Sequence, residues 1–148
     1  MNTRRVTTIL ISSALPFILL GPIDAIARSE IKGGAILDHA CGKVAVKQMS
    51  LVHAGKMDEA QTLSTKEMHG QWKALPATER ARMAGMAKEM SQTTEQYTAD
   101  IKAHGILVVD GQAAELTIET KTKDANVTSS STLTQNFKVT GSECLVSR

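Results

Sequence analysis

Two halves of this chain follow different periods, and that change constrains its fold more than any single residue. Between residues 35 and 95, apolar side chains recur every three or four positions, the period of helices packed on one side. That stretch holds every methionine after the first 27 residues and most of the alanine. Between residues 105 and 146 the apolar residues alternate with polar ones, and valine and threonine take over, as in half-buried strands. No Pro/Gly/Ser-rich spacer separates the halves and no internal repeat is visible. The change therefore marks a switch of secondary structure inside one domain. Helices first and an antiparallel sheet after define an α+β fold.

The helical half divides into three segments. Leu37, Cys41, Val44, Gln48 and Leu51 predict a helix from about Ala35 to His53, with Gly33-Gly34 before it and Gly55 after it as a terminator. A second helix is expected from about Asp58 to Gly70, its first turn favoured by Asp58 and Glu59. A third opens near Pro76. Met83, Met86, Met90, Thr94, Tyr97 and Ile101 continue its three–four spacing, yet Tyr97, Ala99, Ile101, Ala103, Gly105 and Leu107 also alternate. The two templates overlap, and the expected switch is a helix to about Thr94 with a strand from about Tyr97. Four strands are expected in all. Asp110-Gly111 between Ile106–Val109 and Gln112–Lys121 is a type I′ hairpin signal. A turn at residues 123–126 leads to a Ser/Thr-rich strand ending at Val139, and Thr140-Gly141-Ser142 to a last one, residues 143–147. The apolar face of this sheet needs a cover, which the three helices supply.

The first 27 residues read as an address. Arg4 and Arg5 precede an uncharged run from Val6 to Leu20, Gly21-Pro22 break it, and Ala25-Ile26-Ala27 sets small residues at a cleavage site after Ala27. That is the secretory signal pattern. The run is shorter than the roughly 20 residues needed to span a bilayer. The expectation is export to the periplasm or beyond, with residues 28–148 as the folded domain and no membrane anchor after cleavage. A formal net charge of +2 over 148 residues and only one Trp, one Tyr and two Phe argue against a nucleic-acid partner.

Export makes a disulfide chemically available. Only Cys41 and Cys144 could form it. A bridge is favoured over two free core thiols or one reactive thiol. It would close a loop of about 100 residues, worth about 4.7 kcal/mol on the chain-entropy model. No Cys-x-x-Cys supports redox exchange.

Short patterns add a resemblance. Val52-His53-Ala54-Gly55-Lys56-Met57-Asp58-Glu59-Ala60 is similar to the loop and acidic second-helix start of secreted bacterial nuclear transport factor 2-like (cystatin-like) domains. Asp110-Gly111 followed by Ala113-Ala114-Glu115-Leu116 resembles their hairpin, and the strand after Gly141 occupies the place of their closing strand. The resemblance implies a cone-shaped sheet wrapped by helices, often with a pocket at its open end. It also implies a first helix lying across the sheet, which would bring Cys41 towards Cys144. Such domains serve as enzymes, ligand binders and interaction modules, so the fold alone fixes no function.

Candidate chemistry is sparse. His39, His53, His69 and His104 have no metal-ligand spacing, so no metal site is expected. No phosphate loop, nucleophile elbow or cofactor motif occurs, and no catalytic set or cofactor is assigned. Trp72, Tyr97, Asp100 and Phe137 are the candidate pocket residues. Enzymes of the resembled fold often place a Tyr and an Asp in the cone, and Asp100 shares a face with Tyr97 only if that segment is helical. Met83, Met86 and Met90 read as core, with Cu(I) ligation by thioethers as the alternative. The expectation is a non-enzymatic binding or interaction domain, of which an inhibitor or immunity-type protein is one version. Its partner is an unidentified protein or a small apolar ligand. A pocket enzyme using Tyr97 and Asp100 is the alternative, and a homodimer through the sheet is left open.

Overall fold

The structure, a computed structural model, describes residues 28–124 and 127–148. The expected signal segment and the centre of the turn at Ala125-Asn126 lie outside the described residues. The class is α+β, with helices packed against one antiparallel sheet.

The chain opens on a short strand that sequence reading missed, β1 (Ser29–Lys32), and Gly33 turns it into a 3-10 turn over Gly33–Asp38. The expected first helix therefore starts later, as α1 (Ala40–His53), because His39 is extended. His39 is the N-cap: its Nδ1 accepts the Cys41 backbone N–H at 3.2 Å, which satisfies one of the helix's unpaired amides. The second expected helix is likewise broken. It runs as α2 (Met57–Gln61) and α3 (Lys66–Ala74), with Thr65 capping α3. The break serves the sheet, since Leu63 O and Thr65 N both bond to the backbone of Val146. Pro76 is the N-cap of α4 (Ala77–Met90).

The ambiguous stretch resolves as helix, so the strand expected from Tyr97 is corrected. Ser91 ends α4, and a capping box between Thr93 and Gln96 starts α5 (Thr94–His104). Tyr97 and Ile101, four apart, are its buried residues. The alternating alanines that suggested a strand, Ala99 and Ala103, simply face out. The sheet resumes with β2 (Gly105–Asp110), then β3 (Ala113–Asp124), β4 (Val127–Thr140) and β5 (Glu143–Ser147).

The five strands form a meander in the order β1-β2-β3-β4-β5, one more strand than expected. Asp110 pairs with Ala113, so the first hairpin loop is Gly111-Gln112 rather than Asp110-Gly111. Within this loop Gly111 has positive φ, at 60°, and Gln112 does not, the requirement of a type II′ turn rather than type I′. Across the strands, Ile31 meets Leu107, Leu107 meets Leu116, Ala114 meets Phe137 and Phe137 meets Val146. This apolar face and the inward sides of the 3-10 turn, α1 and α5 make one core. Trp72, on α3, is buried outside this core and bonds to Asp58 of α2.

Cys41 and Cys144 form a disulfide, with Cα atoms 5.0 Å apart and a separation of 103 positions in sequence. It ties the first turn of α1 to β5. Beside it the fit is close: a Cβ on Gly42 would stand 1.8 Å from the carbonyl oxygen of Ile36. Beyond Ile118 on β3 and Asn136 on β4, neither strand has a second neighbour, so β3 and β4 continue as a two-stranded ribbon.

Candidate functional site

The expected pocket residues do not converge. Tyr97 and Phe137 belong to the central core, whereas Trp72 lies outside it. The Tyr97 hydroxyl donates to Gln135 Oε1 at 3.2 Å, and Gln135 Nε2 donates to Gln48 Oε1 at 2.5 Å. This chain of side chains joins α5, β4 and α1 through the core, satisfying polar groups that would otherwise be costly to bury. The Asp100 carboxylate instead accepts from Gln92 Nε2 at 2.9 Å. Burial pushes the Tyr97 hydroxyl up to about 12, away from the range useful to a proton-transfer group near neutral pH. On helix α5 Tyr97 and Asp100, three apart, share a face, but each has its own hydrogen-bond partner.

Trp72 lines a recess of about 440 Å³ between α2, α3 and α4. Its Nε1 donates to Asp58 Oδ1 at 2.6 Å, and Arg80 Nη1 donates to the same oxygen at 3.4 Å. Asp58 Oδ1, on an exposed side chain, thus links α2 to both α3 and α4. A second, apolar groove of about 470 Å³ runs between α1 and the start of α5, lined by Leu37, Val46, Leu51 and Thr98 with Lys43 and Lys47 at its rim.

The largest departure from expectation is α4. None of its residues is buried. Met83, Met86 and Met90 are 38%, 49% and 82% exposed, so the stripe expected as core faces solvent. The reason is visible in the helix itself. It rests on its small and intermediate residues, Arg80, Ala84 and Ala87, and the side carrying the methionines is left uncovered. Positions 83, 86 and 90 are three and four apart and form one line along the helix. Arg82 runs along this line: its guanidinium donates to Met86 Sδ at 3.4 Å and to both oxygens of Glu79, at 2.5 and 3.2 Å. The guanidinium holds the Glu79 carboxyl below its ordinary range. At the far end, Met90 borders a small recess with Met49, Val52 and Gln135, so the apolar surface passes from α4 onto α1.

Periodicity could place these methionines on one face but could not say which face the rest of the chain would cover. Among the described residues, no three His, Cys, Asp or Glu side chains gather as a metal site would require, and no helix is long and apolar enough to cross a membrane. Comparison with known proteins found no matching family model, no similar curated protein and no similar solved structure.

Proposed function

We propose that the protein is an exported, non-enzymatic interaction domain that docks a partner protein through the methionine face of α4. The observation that carries this reading is the exposure of Met83, Met86 and Met90 on a helix none of whose residues is fully buried. Apolar surface left uncovered and in line is a common mark of binding, and flexible thioethers adapt to a partner's shape. The disulfide suits an oxidising compartment, and the signal-like residues 1–27 suit export to the periplasm or beyond. The order of helices and strands is in keeping with a nuclear transport factor 2-like domain, and an inhibitor or immunity-type protein is one form such a module takes. The separate hydrogen-bond partners of Tyr97 and Asp100 weigh against the pocket enzyme.

The test replaces Met83, Met86 and Met90 together by Ser. In extracts of the cells that make the protein, the wild type is expected in a discrete complex that the variant loses while keeping its fold. A complex unchanged by the three substitutions defeats this reading.

One observation favours a second reading, Cu(I) binding: the three sulfurs are accessible rather than sealed in the core. The guanidinium of Arg82 on Met86 Sδ weighs against a cation there. Titration with Cu(I) against a chromophoric chelator separates the two, since stoichiometric binding lost in the triple variant is required by this reading alone.

A further inference from the structure

The open edges of the sheet are not treated alike. Unpaired strand edges invite foreign strands, and proteins guard them with short strands, charges, proline or a cover. The outer edge of β1 is short and carries Glu30 and Lys32, which pair at 2.8 Å. The outer edge of β5 is covered: Val146 N donates to Leu63 O and Thr65 N donates to Val146 O, both at 2.9 Å. The part of β3 beyond Ile118 has no β2 neighbour, but it carries Glu119 and Lys121. The corresponding part of β4 has none of these devices. From Thr128 to Gln135 it reads Thr-Ser-Ser-Ser-Thr-Leu-Thr-Gln, with no charge and no proline, and β5 reaches only as far as Asn136. Residues Thr128 to Thr134 are all exposed, and among the described residues no backbone bond reaches their outer side.

We propose that two copies of this chain associate through that edge, β4 against β4 in antiparallel register about a two-fold axis beside Ser131. The sequence is self-complementary in that register. Ser131 faces its own copy, Ser130 faces Thr132, Thr128 faces Thr134, and Leu133 lies opposite Ser129. Hydroxyl pairs of this kind are favourable cross-strand neighbours, and no like charges oppose one another. A copy of the chain matches this edge along its whole length, and a two-fold pairing closes without leaving a further open edge of the same kind. The contact joins the two β3–β4 ribbons into four strands, and the paired residues, Thr128 to Thr134, include none of the α4 methionines. One strand pair is small beside a stable interface of about 1,200–2,000 Å², so the dimer dissociates on dilution.

Sedimentation equilibrium of residues 28–148 over a wide concentration range tests this. The expected result is a reversible monomer–dimer equilibrium. Ser131→Lys and Ser131→Glu each set like charges opposite one another and each should weaken the dimer at least tenfold. An equimolar mixture of the two should associate again, because Lys then faces Glu. A wild type that stays monomeric throughout overturns the proposal. So does a dimer that survives both substitutions, or a mixture that fails to associate. Circular dichroism of each variant confirms that the sheet is intact, and the Met83, Met86 and Met90→Ser variant, expected to dimerise like the wild type, keeps this result separate from the α4 reading.

Discussion

Tyr97 shows how much a single residue can be misread and still be central. Its spacing allowed a strand, a catalytic role or a pocket wall, and the structure gives it a buried helical position hydrogen-bonded to Gln135. Because it is the only Tyr in the chain, its ionisation can be followed alone by absorbance. Its folded value of about 12 lies above the usual value near 10. The neutral hydroxyl is the form the fold favours, so its contribution to stability is complete below about pH 10 and is lost as pH rises from there through about 12. Tyrosinate absorbance should therefore rise late, near pH 12, in the folded protein and near pH 10 in denaturant. A folded midpoint near 10 would mean that the hydroxyl is not buried. Gly42 and Gly85 give a matched pair. A methyl group on Gly42 would collide with the Ile36 carbonyl, whereas one on Gly85 would meet nothing within 4 Å. Gly42→Ala should cost about 3 kcal/mol through forced displacement of the 3-10 turn. Gly85→Ala in α4 should add about 0.5–1 kcal/mol by lowering the entropy of the unfolded chain. Urea unfolding of both variants checks the signs. Neither glycine differs from the other in sequence terms, because a collision depends on what the fold brings near.

Elements were legible where their period was long and unshared, and illegible where a cap decided the outcome. The β2–β3 hairpin was readable from Asp110-Gly111 and the alternation of Ala114, Leu116 and Ile118, and only its loop shifted by one residue. The α4–α5 boundary was not readable from periodicity, because apolar spacing runs through it. The signal lay instead in Thr93 and Gln96, three apart, which form the capping box. Thr93→Ala should cost about 1 kcal/mol and fray the first turn of α5, seen as faster amide exchange there. His39 carries the same lesson at α1: a residue weighed only as a metal ligand is the helix's N-cap. The face of α4 was beyond sequence reading for a different reason. Met83, Met86 and Met90 have core spacing, but Arg80, Ala84 and Ala87 provide the side that rests on the body of the protein. Replacing the three methionines by Ser should therefore change stability by less than about 0.5 kcal/mol per site, as expected of exposed positions. A loss of several kcal/mol on thermal unfolding would show that the face is covered after all.

At the scale of the whole molecule, the disulfide joins the two halves that the change of period divides. Cys41 begins α1 and Cys144 lies in β5, so the bridge closes nearly the entire folded chain into one loop. Reduction should lower stability by up to about 4–5 kcal/mol, the scale of the lost loop constraint, and urea unfolding with and without reductant measures it. The pairing is favoured in sequence by compartment and cysteine count, and the resemblance implies that the two cysteines approach each other. What neither composition nor spacing could supply is the surface: the exposed helix, the ribbon and the bonds of Trp72 and Arg80 to Asp58 arise only when distant residues meet. The central claim is that the methionine face of α4 is where this protein acts. A photoreactive amino acid placed at Met86, in the cells that make the protein, tests it most directly, with Ala74 at the exposed end of α3 as the control position. One discrete cross-linked partner is expected from position 86 and none from position 74, and the same partner should be absent when Met83 and Met90 are also Ser. No adduct from position 86, or the same adduct from both positions, would contradict it.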